Sequence, residues 1–85
     1  MNRKKRIEKK IKEHIKEFNI QIEDKSMMHK GHNNFDGKNE THFLIKLFKI
    51  ENNKYDRLKT HRQINELLKE EFLEGLHSIE IKIID

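Results

Sequence analysis

The chain has no cysteine, no proline and no tryptophan, and only three of its 85 residues are glycine. Without thiols there is no disulfide framework and no thiolate nucleophile, and the usual redox clue to compartment is missing. Scarce glycine and absent proline favour regular elements over a loop-rich scaffold. No apolar run approaches the roughly 18–20 residues of a membrane helix. The N-terminus is basic but lacks the apolar core of a secretory signal. The sequence also lacks a nucleophile–base pair, a phosphate-binding glycine loop and a paired-carboxylate signature, so it is not expected to be an enzyme.

What the sequence does have is charge and histidine. Charged residues make up 40% and hydrophobic ones 33%, so a single domain spanning 1–85 must build a small core with marginal stability. The formal net charge is +4. Much of the excess lies in Arg3, Lys4, Lys5, Arg6, Lys9, Lys10 and Lys12, set against Glu8 alone. Such a cluster attracts nucleic acid or an acidic partner. The simpler account is the solvated face of an amphipathic helix, which the nearly neutral remainder of the chain favours.

Periodicity divides the chain into elements. Ile7, Ile11, Ile15 and Phe18 recur at helical spacing and predict a helix over 3–18, with Asn2 as N-cap. Alternation through Ile20 and Ile22 predicts a strand over 19–24. A polar loop follows over 25–40. Its length marks it as functional or disordered, and it holds Met27, Met28, His29, His32 and Phe35. The nearly continuous apolar run from Phe43 to Ile50 predicts a central strand over 41–50. Helical spacing returns over 56–74, with Asp56 as N-cap, Leu58, Ile64, Leu67, Leu68 and Phe72 facing the core, a break near Thr60, and Gly75 as the stop. Ile79, Ile81 and Ile83 share one face of a last strand over 76–84. The expected fold is α+β, in the order α-β-β-α(α)-β. Helices cover one face of a three-stranded mixed sheet, with the first two strands antiparallel and a right-handed crossover to a parallel third.

Histidines mark the junctions: His29 and His32 in the loop, His42 at the second strand, His61 at the helix start and His77 at the last strand. Imidazoles gathered this way in a cysteine-free chain point to a metal or metal cluster. Each also has a plainer account. His77 shares parity with the isoleucines behind it, as a strand-start residue over the core would. His29 and His32 fit exposed loop positions. His42 and His61 suit imidazoles held by local hydrogen bonds, His14 a residue bordering the apolar stripe, and Met27 and Met28 loop packing.

In order and spacing the chain resembles the BolA family. The residues that carry the resemblance are a basic first helix, Asp24-x-Ser26 before a histidine loop and Glu40-Thr41-His42-Phe43. They continue with His61-Arg62-x-Ile64-Asn65, Leu68-x-Glu70-Glu71-Phe72 and Leu76-His77-Ser78-Ile79. The pattern spans almost the whole chain. It departs at Asn52-Asn53-Lys54, where the family carries Phe-x-Gly, and at Thr60-His61-Arg62, where it carries Arg-His-Arg.

The resemblance implies a class II KH-like fold and a monothiol glutaredoxin partner. The two proteins would share a bridging 2Fe–2S cluster, with a cysteine from the glutaredoxin and the thiolate of glutathione. On this side the ligands it implies are His77 and a loop histidine, His29 or His32. His29 fits the Ser-x-x-His spacing from Ser26. The isolated chain is expected to be a monomer without cofactor, since two imidazoles hold a cluster poorly. Only neutral imidazole coordinates metal, so such a bond is pH-sensitive. Iron–sulfur trafficking or iron regulation in an intracellular setting, cytoplasmic or mitochondrial, follows from the same resemblance. The alternative is a KH-like regulator that binds DNA or RNA through Lys54, Arg57, Lys59 and Arg62, although no Gly-x-x-Gly clamp is present there.

Overall fold

The computed structural model describes residues 2–25 and 41–84. Its elements are α1 (Arg3–His14), β1 (Phe18–Asp24), β2 (His42–Lys49), α2 (Arg57–Leu67), α3 (Lys69–Leu73) and β3 (Ser78–Ile84). Strand β2 is central: β1 pairs with it antiparallel, with Ile22 opposite Ile45, and β3 pairs with it parallel, with Ile81 opposite Ile45. The period-2 alternation of side chains then puts Phe18, Ile20, Ile22, Phe43, Ile45, Leu47, Ile79, Ile81 and Ile83 on one face. Ile7 and Ile11 of α1, Ile64 of α2, and Leu68 and Leu76 join the same core cluster. The opposite face carries Asn19, Gln21, Glu23, Lys46, Glu80 and Lys82. There Lys46 Nζ lies 2.8 Å and Lys25 Nζ 3.3 Å from the Glu23 carboxylate. These two ammonium groups, Lys46 first, hold the Glu23 carboxyl below its ordinary value.

Three sequence expectations need correction. The first helix ends at His14, four residues early. Ile15 is extended (φ −118°, ψ 98°), so Ile15 and Phe18 stay in the core while the chain turns into β1. The apolar spacing continues through the break and hides it. His14 caps this end, its Nδ1–H donating to the Lys10 carbonyl at 2.9 Å. A basic ring there suits the partial negative charge of a helix C-terminus. The break in the second helical region falls at Leu68 (φ −99°, ψ 9°), not near Thr60. Thr60 is buried inside α2, whose cap is Asp56, accepting the Lys59 N–H at 2.9 Å. Leu58, expected in the core, is 59% exposed.

The basic N-terminal run is largely committed to internal pairs. Glu71 is buried, and both arginines of the first helical turns converge on it. Arg3 Nε reaches Oε1 at 3.0 Å, Arg6 Nε reaches Oε2 at 2.8 Å, and a second Arg6 nitrogen reaches Oε1 at 3.0 Å. Arg3 also donates to the Glu74 carbonyl at 2.7 Å, and Lys10 lies 3.8 Å from Glu70. These bonds clamp α1 to α3 in a forked, charge-assisted geometry.

The turn after β2 places an asparagine in the left-handed region of the backbone. Asn53 N–H donates to the Ile50 carbonyl at 3.1 Å, and Asn52 takes φ +72° between them. Asparagine tolerates this left-handed conformation better than other side-chain-bearing residues. Asn52→Val should therefore lower stability by about 1–2 kcal/mol, whereas Asn52→Gly should not. Thermal denaturation of the two variants checks this.

Candidate histidine site at the end of the sheet

Strand directions bring one end of the sheet together with the junctions that carry histidine. β1 ends and β2 begins there, so Lys25 and Thr41 bracket the intervening segment, and Lys25 N–H donates to the His42 carbonyl at 2.7 Å. Because β3 runs parallel to β2, it also starts at this end. The Thr41 carbonyl accepts the His77 N–H at 2.8 Å and the Ser78 N–H at 3.2 Å. The approach from α3 is equally fixed. Gly75 adopts φ +116°, and the N–H of buried Leu76 returns to the Glu71 carbonyl at 2.9 Å, closing the helix in a Schellman-type cap. His77 therefore stands on a backbone anchored on both sides, with an exposed side chain.

The structure adds a residue the sequence left aside. The His42 ring packs edge-on against His77, with centroids 5.4 Å apart and planes at 71°. Thr41 Oγ1 and His42 Nδ1 share a hydrogen bond at 2.9 Å. The signal that could have found this neighbour is the parallel register, which sets His42 opposite Ser78. Among the described residues no group of three or more His, Cys, Asp or Glu side chains is arranged to hold a metal ion. The described residues at this end of the sheet offer imidazole donors but not a complete ligand set. His29 and His32 lie outside the described residues.

His61 was expected to be held by a local hydrogen bond. Its Nε2 is enclosed, with no partner among the described residues. The alternative basic set lies elsewhere. Lys54 is in the turn leaving β2, Arg57 and Lys59 in the first turn of α2, and Arg62 one turn further; all four are exposed. α2 starts beyond the far end of β2, so Lys54, Arg57 and Lys59 lie at the end of the sheet remote from His77. Asp56 and Glu66 line the same surface and temper its positive charge.

Architecture and site together define a small α+β domain with an imidazole-bearing sheet end. The chain belongs to the BolA-like protein family, whose model matches residues 11–84. It is 34% identical over 82 residues to "Protein BOLA1, chloroplastic" of Arabidopsis thaliana, covering 94% of this chain and 51% of that relative. It is 36% identical over 84 residues to "UV-induced protein uvi31" of Schizosaccharomyces pombe, covering 95% and 82%. The solved structure of BolA1 from Arabidopsis thaliana superposes with a TM-score of 0.76 at 32% identity, covering 99% of this chain and 92% of that one. The chain thus spans about half the length of the chloroplastic relative and most of the yeast one.

Proposed function

We propose that this protein is an adaptor that pairs with a monothiol glutaredoxin and shares a bridging 2Fe–2S cluster with it, in iron–sulfur trafficking or iron regulation. The observation that carries the proposal is His77: an exposed imidazole on an anchored backbone, at the same sheet end from which the segment bearing His29 and His32 leaves and to which it returns. The donor chemistry fits such a cluster, since imidazole is an accepted iron ligand beside thiolates. The chain contains no thiolate of its own, so the sulfur ligands would come from the partner and glutathione. When bound, the cluster would supply a transferable iron–sulfur unit whose potential is raised where imidazole replaces thiolate. Family membership supports the proposal at the level of the domain, and the role is not catalytic.

The test is anaerobic reconstitution with a monothiol glutaredoxin, glutathione, iron and sulfide, followed by visible circular dichroism. A spectrum distinct from that of the glutaredoxin alone is expected. Of His29→Ala and His32→Ala, one should abolish that spectrum and so name the loop ligand. A mixture that never departs from the glutaredoxin spectrum contradicts the proposal.

The exposure of Lys54, Arg57, Lys59 and Arg62 favours a second reading, contact with nucleic-acid phosphates. On that reading affinity for DNA or RNA falls steeply with added salt, and Arg57→Ala or Arg62→Ala flattens the slope by about one. Arg57 lies at the far end of the sheet from His77, so Arg57→Ala would leave cluster sharing intact.

A further inference from the structure

The most exposed large hydrophobic among the described residues is Leu73, at 80%. It ends α3 and, with half-buried Phe72, lines a groove of about 650 Å³ between α2 and α3, rimmed by Arg62, Lys69 and Glu66. A single exposed leucine needs no explanation. Leu73 differs because it adjoins a second apolar side chain, lies beneath more positive than negative charge, and sits four residues before His77. Four residues of chain span at most about 14 Å. One side of a standard interface covers about 800 Å², a disc of about 16 Å radius. A partner that completes the ligand set of His77 therefore comes within reach of this groove.

We propose that the α2–α3 groove is the docking surface for that same thiolate-bearing partner, which inserts an apolar side chain flanked by a carboxylate against Leu73, Phe72 and Lys69. The inference rests on the shared-cluster reading and extends it. His77 supplies the cluster contact, and the groove supplies affinity that does not depend on the cluster. A desolvated apolar anchor ringed by polar groups is the usual form of an interface hot spot. Lys69, at the rim, acts mainly on association rate and salt dependence.

The experiment is titration calorimetry of the full chain with a cluster-free monothiol glutaredoxin and glutathione, comparing wild type, Leu73→Glu, Lys69→Glu, Leu58→Glu and His77→Ala. Circular dichroism and melting temperature check that each variant folds. Leu73 is exposed, so its replacement should not disturb the fold. Leu73→Glu is expected to weaken binding at least tenfold and Lys69→Glu severalfold. Leu58→Glu, an exposed leucine in the first turn of α2, and His77→Ala should bind as wild type does. Equal affinity for Leu73→Glu and wild type, with the mixed cluster still lost in His77→Ala, overturns the docking surface alone. No binding by any form overturns the docking surface, and the reading it rests on fails with it only where the reconstituted mixture also lacks the mixed-cluster spectrum. A wild-type chain that self-associates in sedimentation, and is made monomeric by Leu73→Glu, assigns the groove to a second copy and overturns the proposal.

Discussion

Glu71→Ala is expected to destabilise the fold by about 2–3 kcal/mol, the largest single-residue stability effect outside the hydrophobic core. Removing one member of a buried ion pair costs about 3–5 kcal/mol, because a charge is left without its partner. Two observations set the value here somewhat lower. The Arg6 side chain is 38% exposed and recovers some hydration, whereas Arg3, at 13%, recovers little. A domain of this size has about 4–13 kcal/mol in total, so the loss should lower the melting temperature by on the order of 10–20 °C. Glu71→Gln keeps the shape and part of the hydrogen bonding and should cost less. A double-mutant cycle between Arg6→Ala and Glu71→Ala should give a coupling of about 1–3 kcal/mol.

The same carboxylate sets an acid limit. Hydrogen bonds from Arg6 and then Arg3 hold the Glu71 carboxyl below its ordinary value, against the opposing effect of burial. A carboxyl depressed on folding contributes stability that is fully present above its unfolded value. That stability is lost as pH falls through the lower folded value. Urea midpoints should thus be flat near neutrality and fall below the ordinary glutamate range, and the fall should be shallower in Glu71→Gln. An unchanged acid profile in that variant would show that the clamp contributes little.

His77→Ala should separate stability from function more cleanly than any other change. The side chain is exposed, and surface substitutions of this kind shift stability by about 0.5 kcal/mol or less. The backbone bonds to Thr41 do not need the imidazole. The fold should therefore survive, while the mixed-cluster spectrum with a monothiol glutaredoxin disappears. His42→Ala removes the edge-on neighbour and the hydrogen bond with Thr41 and should leave that spectrum detectable. Visible circular dichroism of the two reconstituted variants, beside their melting temperatures, checks the contrast. A His77→Ala protein that still forms the mixed cluster would remove this residue from the ligand set.

The sheet was legible because its signals are local. An apolar run marked β2 as central, and alternation marked β3. The ends of α1 and α2 were less so. No glycine or proline marks the end of α1 or the break at Leu68, and in both places buried side chains keep the helical spacing while the backbone departs from it. Leu58 was misassigned on a point geometry could have settled. At about 100° per residue, it lies roughly 120° around α2 from Ile64, whereas Thr60 lies roughly 40° away. The clamp on Glu71 was not legible, since its partners are 68 and 65 residues distant, and helix spacing says nothing about contacts that remote. At the site, His77 was legible through its place in the family pattern. Its pairing with His42 depends on a parallel register between strands joined by a long crossover, and only the folded chain fixes that.

The most direct measurement of the central claim is pulsed electron paramagnetic resonance on the reduced mixed complex, with this chain alone carrying ¹⁵N-labelled histidine. The account predicts strong hyperfine coupling from histidine nitrogen, lost in His77→Ala and retained in His61→Ala. A reduced cluster that shows no coupling to the labelled chain would contradict it and leave all the iron ligands on the partner side.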